Sequence, residues 1–151
     1  MIPTWFNTHE RLAALDAEAR RWVGTPWAAN ADSIGLGVSC HNLPRALYLG
    51  VGALDADFPR MEGSPDRTRH ERVSVMAPWV DARPEFRNVF DRAWQPGDLL
   101  GLRIYHCVDH LGVVLPGGRF LHVLSHRATM IDALIDPTWS QRVNRVWRIR
   151  A

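Results

Sequence analysis

The sequence predicts an α+β domain, with helices in the first half and an antiparallel meander in the second. Three observations predict it. Leu12, Leu15, Ala19, Trp22 and Val23 recur at helical spacing near the start. Pro44 sits where only the first turn of a second helix would accept it. From Gln95 onward the helical period gives way to short apolar runs at 99–104, 111–115, 120–125 and 143–149, with Gly117-Gly118 as a turn signal between the second and third.

In chain order, the first helix covers 8–23. Asn7 and Glu10 offer a capping box at its start, and Gly24-Thr25-Pro26 ends it. Residues 28–39 read as a loop rich in Asn, Asp, Ser and Gly. The second helix covers 41–51. Pro44 fixes its start near His41 or Asn42, which places Cys40 at a helix N-terminus. Residues 53–68, with Pro59, Gly63 and Pro65, read as a surface excursion. Residues 69–93 read as two helical pieces broken by Pro78 and Pro84, and 53–93 together is a candidate lid. Asp136-Pro137 reads as the cap and first position of a short helix before the last strand.

The 151 residues suit one domain over 1–151, and a hydrophobic fraction of 46% is enough for a core without metal or disulfide. No apolar run is long enough for a membrane span, so no membrane insertion is expected. The first residues lack a basic segment followed by an apolar stretch, so synthesis in the cytoplasm without a signal peptide is expected. A net charge of +2, spread along the chain, argues against nucleic acid as a partner. All 18 basic residues are arginine, which excludes lysine nucleophiles and Schiff bases.

Two cysteines, Cys40 and Cys107, are present. A thiol is a weak nucleophile until ionised, and a helix N-terminus or a nearby imidazolium favours the thiolate. Cys40 has the expected helix N-terminus and follows a Gly-rich loop. Taken alone, this leaves it either a nucleophile or an inert buried thiol.

The second half adds to that. Pro96-Gly97-Asp98-Leu99-Leu100 leads a strand. Asp109-His110-Leu111-Gly112-Val113 follows, and then Gly117-Gly118-Arg119-Phe120-Leu121-His122. With Val23-Gly24-Thr25-Pro26-Trp27 and the Cys40 helix, this order resembles the NlpC family of papain-like cell-wall peptidases, from about residue 20 to the end. The stretch from Thr138-Trp139 to Val146-Trp147-Arg148 is most similar to the phage-tail branch. The resemblance implies a papain-like fold, with N-terminal helices packed on an antiparallel sheet, and hydrolysis of an amide in peptidoglycan stem peptides beside a γ-D-glutamyl residue. It implies Cys40 as nucleophile, His110 as base and His122 as the residue that orients the base, with no cofactor. It also implies phage-tail proteins as partners and a virion-associated location.

The sequence departs from the family around the nucleophile. Ser39-Cys40-His41-Asn42 stands where the family has Asp-Cys-Ser-Gly, and Trp27 stands where it has Tyr. These changes mark Trp27, Ser39 and His41 as candidate substrate contacts. They also keep two other readings open: an acyltransferase or amidase on the same scaffold, acting on a lipid or a small amide, and a non-catalytic tail-assembly or binding module.

The triad makes a geometric demand. A two-residue Gly117-Gly118 turn would put His110 and His122 on opposite sheet faces. A three-residue turn, Pro116-Gly117-Gly118, pairs 115 with 119 and makes the two histidines diagonal neighbours. A metal site among His106, Cys107, Asp109, His110, His122 and His126 is disfavoured, because strand residues four apart are separated by roughly 13 Å. His9, His41, His70 and His126 read as solvated, and Cys107 as a small core or loop residue. The arginines read mostly as a solvated face.

Overall fold

The computed structural model describes residues 2–61 and 73–151. The elements are α1 (His9–Trp22), β1 (Asp32–Ser33), β2 (Gly37–Val38), α2 (Asn42–Gly50), α3 (Met76–Asp81), β3 (Phe86–Asn88), β4 (Leu99–Arg103), β5 (Val108–Leu115), β6 (Arg119–His122), β7 (Met130–Ala133), α4 (Pro137–Ser140) and β8 (Val143–Ile149). Six strands form one antiparallel sheet in the order β3-β8-β4-β5-β6-β7. The fold is α+β, as the sequence predicts.

The sheet has an apolar layer on each face. Leu15, Ala19 and Trp22 of α1 and Leu43 and Leu47 of α2 bury with Leu111, Val113, Leu115, Leu121 and Trp147 in the larger layer. Leu100, Leu102, Val114, Phe120 and Val146 form the smaller one, and Trp139 and Trp94 pack against it. Along β5 and β6 the two sets alternate, as pleating requires.

The Pro-Gly-Asp segment locks the layers together. The Gly97 carbonyl accepts from the Tyr48 hydroxyl of α2 at 2.8 Å. Asp98 is fully buried and takes a two-pronged hydrogen bond from Arg148 of β8, Nε to Oδ1 and Nη2 to Oδ2, each 2.9 Å. Arg148 also donates to the carbonyls of Ile2 and Ala93, so its guanidinium is paired rather than solvated. Gly97 has φ +92°, and a Cβ there would collide with the Phe6 ring, so this turn requires glycine.

Several local expectations are corrected. Thr8, not Asn7, caps α1, its hydroxyl accepting from the Arg11 N–H at 3.1 Å. The 28–39 loop contains the short β1–β2 hairpin. Residues 86–88, expected to be helical, form β3, because Phe86 and Asn88 bracket a three-residue ladder with Ile149 and Trp147 on the open edge of β8. The described part of 53–68 runs along the surface, as expected, with Asp55, Ala56, Asp57, Pro59 and Arg60 exposed, but it also sends anchors into the core. Leu54, Phe58 and Met61 are buried, and the Phe58 ring packs edge-on against Trp79 and Phe86. Residues 62–72, which include His70 and part of the candidate lid, lie outside the described residues. Asp136 caps α4 with Pro137 as its first residue, as expected. Among the described residues no helix is long and apolar enough to cross a membrane.

Candidate active site

α2 begins at Asn42, with Pro44 in its first turn, so Cys40 lies just before the helix. No side chain of the cap residue His41 bonds the helix start. Ser39 does this instead: its carbonyl accepts from the Leu43 N–H at 3.0 Å and its hydroxyl from the Asn42 N–H at 3.4 Å. Ser39 is buried, with the same hydroxyl 3.4 Å from His41 Nε2.

The Cys40 thiol lies against β5. Backbone N–H groups of Leu111, His41 and Cys40 itself are directed at the sulfur and favour the thiolate. Burial opposes them, the nearby Asp109 carboxylate adds to it, and the thiol is pushed up to about 12. The helix N-terminus therefore does not deliver the preformed thiolate that its position alone suggests. Asp109 is anchored beside the thiol by accepting from the N–H groups of Ile104 and Tyr105, at 2.7 and 3.1 Å.

His110 follows Asp109 on β5 and is buried. The turn before β6 is the three-residue one: Leu115 pairs with Arg119 and Val113 with Leu121. This register brings His110 Nε2 to 2.8 Å from His122 Nδ1. His122 is wholly buried, stacked on Phe120 at a centroid distance of 4.3 Å and met edge-on by Trp139. Gly112 makes the stack possible, since a Cβ there would sit 2.7 Å from the Phe120 ring. Burial holds His110 well below the usual histidine range, and His122 beside it adds to the effect. Burial also lowers His122, partly offset by the Asp132 carboxylate. Near neutral pH the thiol and both imidazoles are thus uncharged.

The structure also joins to this chain a residue that the sequence does not single out. His122 Nε2 lies 2.7 Å from Asp132 Oδ2 on β7. β7 is four residues long and only half-buried, and an aspartate in it reads as loop, so nothing in the sequence pattern marks the strand. Only the β6–β7 register, with Phe120 facing Asp132 and His122 facing Met130, reveals the contact.

Trp27 bridges to Val38 of β2, the strand that leads to Cys40. Its segment runs between β2 and the 127–129 turn: the Trp27 N–H donates to the Arg127 carbonyl at 2.8 Å, and the Val38 N–H to the Pro26 carbonyl at 3.0 Å. Trp27 packs against His126 at 5.0 Å, so that exposed histidine has an aromatic partner. His41, expected to be solvated, is 9% exposed and lowered to about 4, by burial first and Arg60 second. It carries no charge near neutral pH and lends none to the thiol. His9 is exposed and Cys107 lies in the 104–107 bend, half-buried. Among the described residues, no three His, Cys, Asp or Glu side chains are grouped to hold a metal.

No protein-family model matches the chain, and no curated protein matches it. Solved structures do. A Staphylococcus aureus protein described as similar to lipoprotein, NLP/P60 family, aligns with 95% of this chain at TM-score 0.64 and 19% identity; this chain spans 43% of its length. RipB, a peptidoglycan hydrolase of Mycobacterium tuberculosis, aligns with 99% at TM-score 0.58 and 20% identity, with 69% of its own chain covered. The NlpC/p60 domain of the peptidoglycan hydrolase SagA aligns with 89% at TM-score 0.55 and 18% identity, with 95% of its chain covered. The chain therefore has the papain-like fold of NlpC/P60 domains.

Proposed function

We propose that the chain is a cysteine peptidase that cleaves an amide in peptidoglycan stem peptides, beside a γ-D-glutamyl residue. The observation that carries this is the placement of the Cys40 thiol at the start of α2, against the N–H of the residue that follows His110, with His110 bonded to His122. The fold shared with two peptidoglycan hydrolases supports the substrate class.

The chemistry follows from the resting charges. Thiol and imidazole are both neutral, so the proton moves to His110 as the sulfur attacks the amide carbonyl. Once the sulfur has bonded to carbon and holds no thiolate charge, the N–H groups of Cys40 and His41 that faced it can serve the developing oxyanion. The C–N bond then breaks, the amine leaves with the proton from His110, and a thioester remains on Cys40. Water, deprotonated by His110, attacks the thioester and releases the acid and the thiol. Trp27 and His126 form an aromatic wall for the substrate, while Ser39 and His41 shape the floor under the nucleophile.

Digestion of purified stem-peptide fragments, followed by mass spectrometry, tests the reading. New amine and acid termini are expected from the native protein and none from Cys40→Ala. Unchanged fragments with both proteins would remove the peptidase assignment. A second reading, an amidase or acyltransferase, draws on the Ser39, His41 and Asn42 flanks of Cys40; turnover of short acyl thioesters without peptide cleavage would favour it. The phage-tail setting rests on the sequence from Thr138 to Arg148, and detection of the protein in purified particles tests it.

A further inference from the structure

We infer that Asp132 is a positioning residue that fixes which ring nitrogens of the His110–His122 pair carry protons, and thereby leaves Nδ1 of His110 as the proton acceptor for Cys40. The inference deepens the thiol chemistry proposed above and rests on it for its consequence in catalysis.

A carboxylate only accepts, so the 2.7 Å contact of Asp132 Oδ2 requires a proton on His122 Nε2. A neutral imidazole carries one N–H, so His122 Nδ1 has only its lone pair. His110 Nε2, 2.8 Å away, must then be the donor. That leaves His110 Nδ1 unprotonated. Two neutral histidines bonded to each other have a second arrangement with the same number of bonds, His122 Nδ1–H donating to His110 Nε2. It puts the proton on His110 Nδ1, where it blocks uptake of the thiol proton. The carboxylate decides between the two.

The surroundings leave His122 no other way to make that choice. It is wholly buried, with Phe120 on one face and Trp139 against it. Its Nε2 is bonded to Asp132 and its Nδ1 to His110. Ring rotation is blocked by packing, so the tautomer is left to the groups at the two nitrogens. When His110 becomes an imidazolium, the same chain sets its positive charge one neutral ring away from a carboxylate.

The test uses protein with ¹⁵N-labelled histidine at neutral pH, where ring-nitrogen shifts report each tautomer without substrate. Native protein is expected to show Nε2–H and bare Nδ1 on both residues. Asp132→Ala is expected to put a proton on His110 Nδ1 in a measurable fraction. Asp132→Asn keeps the shape, offers an N–H to His122 Nε2, and is expected to do the same. The rate of Cys40 acylation is expected to fall at least about tenfold in both variants with KM little changed, and Asp132→Glu to restore part of it. His110 Nδ1–H in the native protein, or an unchanged tautomer pattern in both variants, would overturn the role of Asp132. The predicted pattern in a native protein that acylates on no amide or thioester would instead overturn the hydrolase reading while leaving the tautomer assignment standing.

Discussion

Replacing His41 by Gln isolates a pH-dependent stability contribution that the site predicts. His41 is held neutral in the folded chain, its value lowered from 6.5 to about 4 by burial first and by Arg60 second. A group lowered on folding contributes stability that is fully present above its unfolded value and is lost as pH falls toward its folded one. The window is therefore about pH 6.5 down to about 4. Between pH 7.5 and 4.5, that shift corresponds to about 2–3 kcal/mol lost through His41 alone. His110 and His122 lose stability in the same direction, but they do so in both proteins. Urea unfolding of native protein and His41→Gln across this range should give curves that converge by about 2–3 kcal/mol as the pH falls. Parallel curves would mean that His41 contributes no pH-dependent stability. They would mean that His41 titrates near its ordinary value, carries charge beside Cys40, and competes with His110 as the partner of the thiol.

Two further outcomes are expected. Asp109→Asn removes a negative charge that holds the thiol up, so Cys40 should alkylate faster than in native protein at pH 8, as read by peptide mass spectrometry; slower alkylation would contradict the electrostatic account. Asp98→Ala strands the buried Arg148 guanidinium and should cost about 3–5 kcal/mol in urea unfolding, whereas adding Arg148→Met should recover a substantial part.

Much of the site is legible in the sequence because hard local constraints write it there. Pro44 permits only a helix start near residue 42, which places Cys40. The Pro116-Gly117-Gly118 turn converts into a register that brings His110 and His122 together. What is not legible depends on contacts distant in sequence. β3 exists because β8 has an open edge, and its own three residues carry no strand pattern. Asp132 sits on a short edge strand with no alternation. Arg148 looks like any other arginine until Asp98, fifty residues earlier, is placed beside it. The thiol's ionisation is the clearest case. A helix N-terminus predicts a lowered value, but burial and Asp109 outweigh three backbone N–H groups, and no local pattern gives that balance.

The central claim is that Cys40 attacks an amide carbonyl while His110 takes its proton. Mixing the protein with purified stem-peptide fragments, quenching in acid within a turnover and mapping the Cys40 peptide by mass tests it most directly. An acyl adduct on Cys40 is expected in native protein and none in His110→Ala. Fragment cleavage that proceeds with no adduct on Cys40, or that persists in Cys40→Ala, would contradict it.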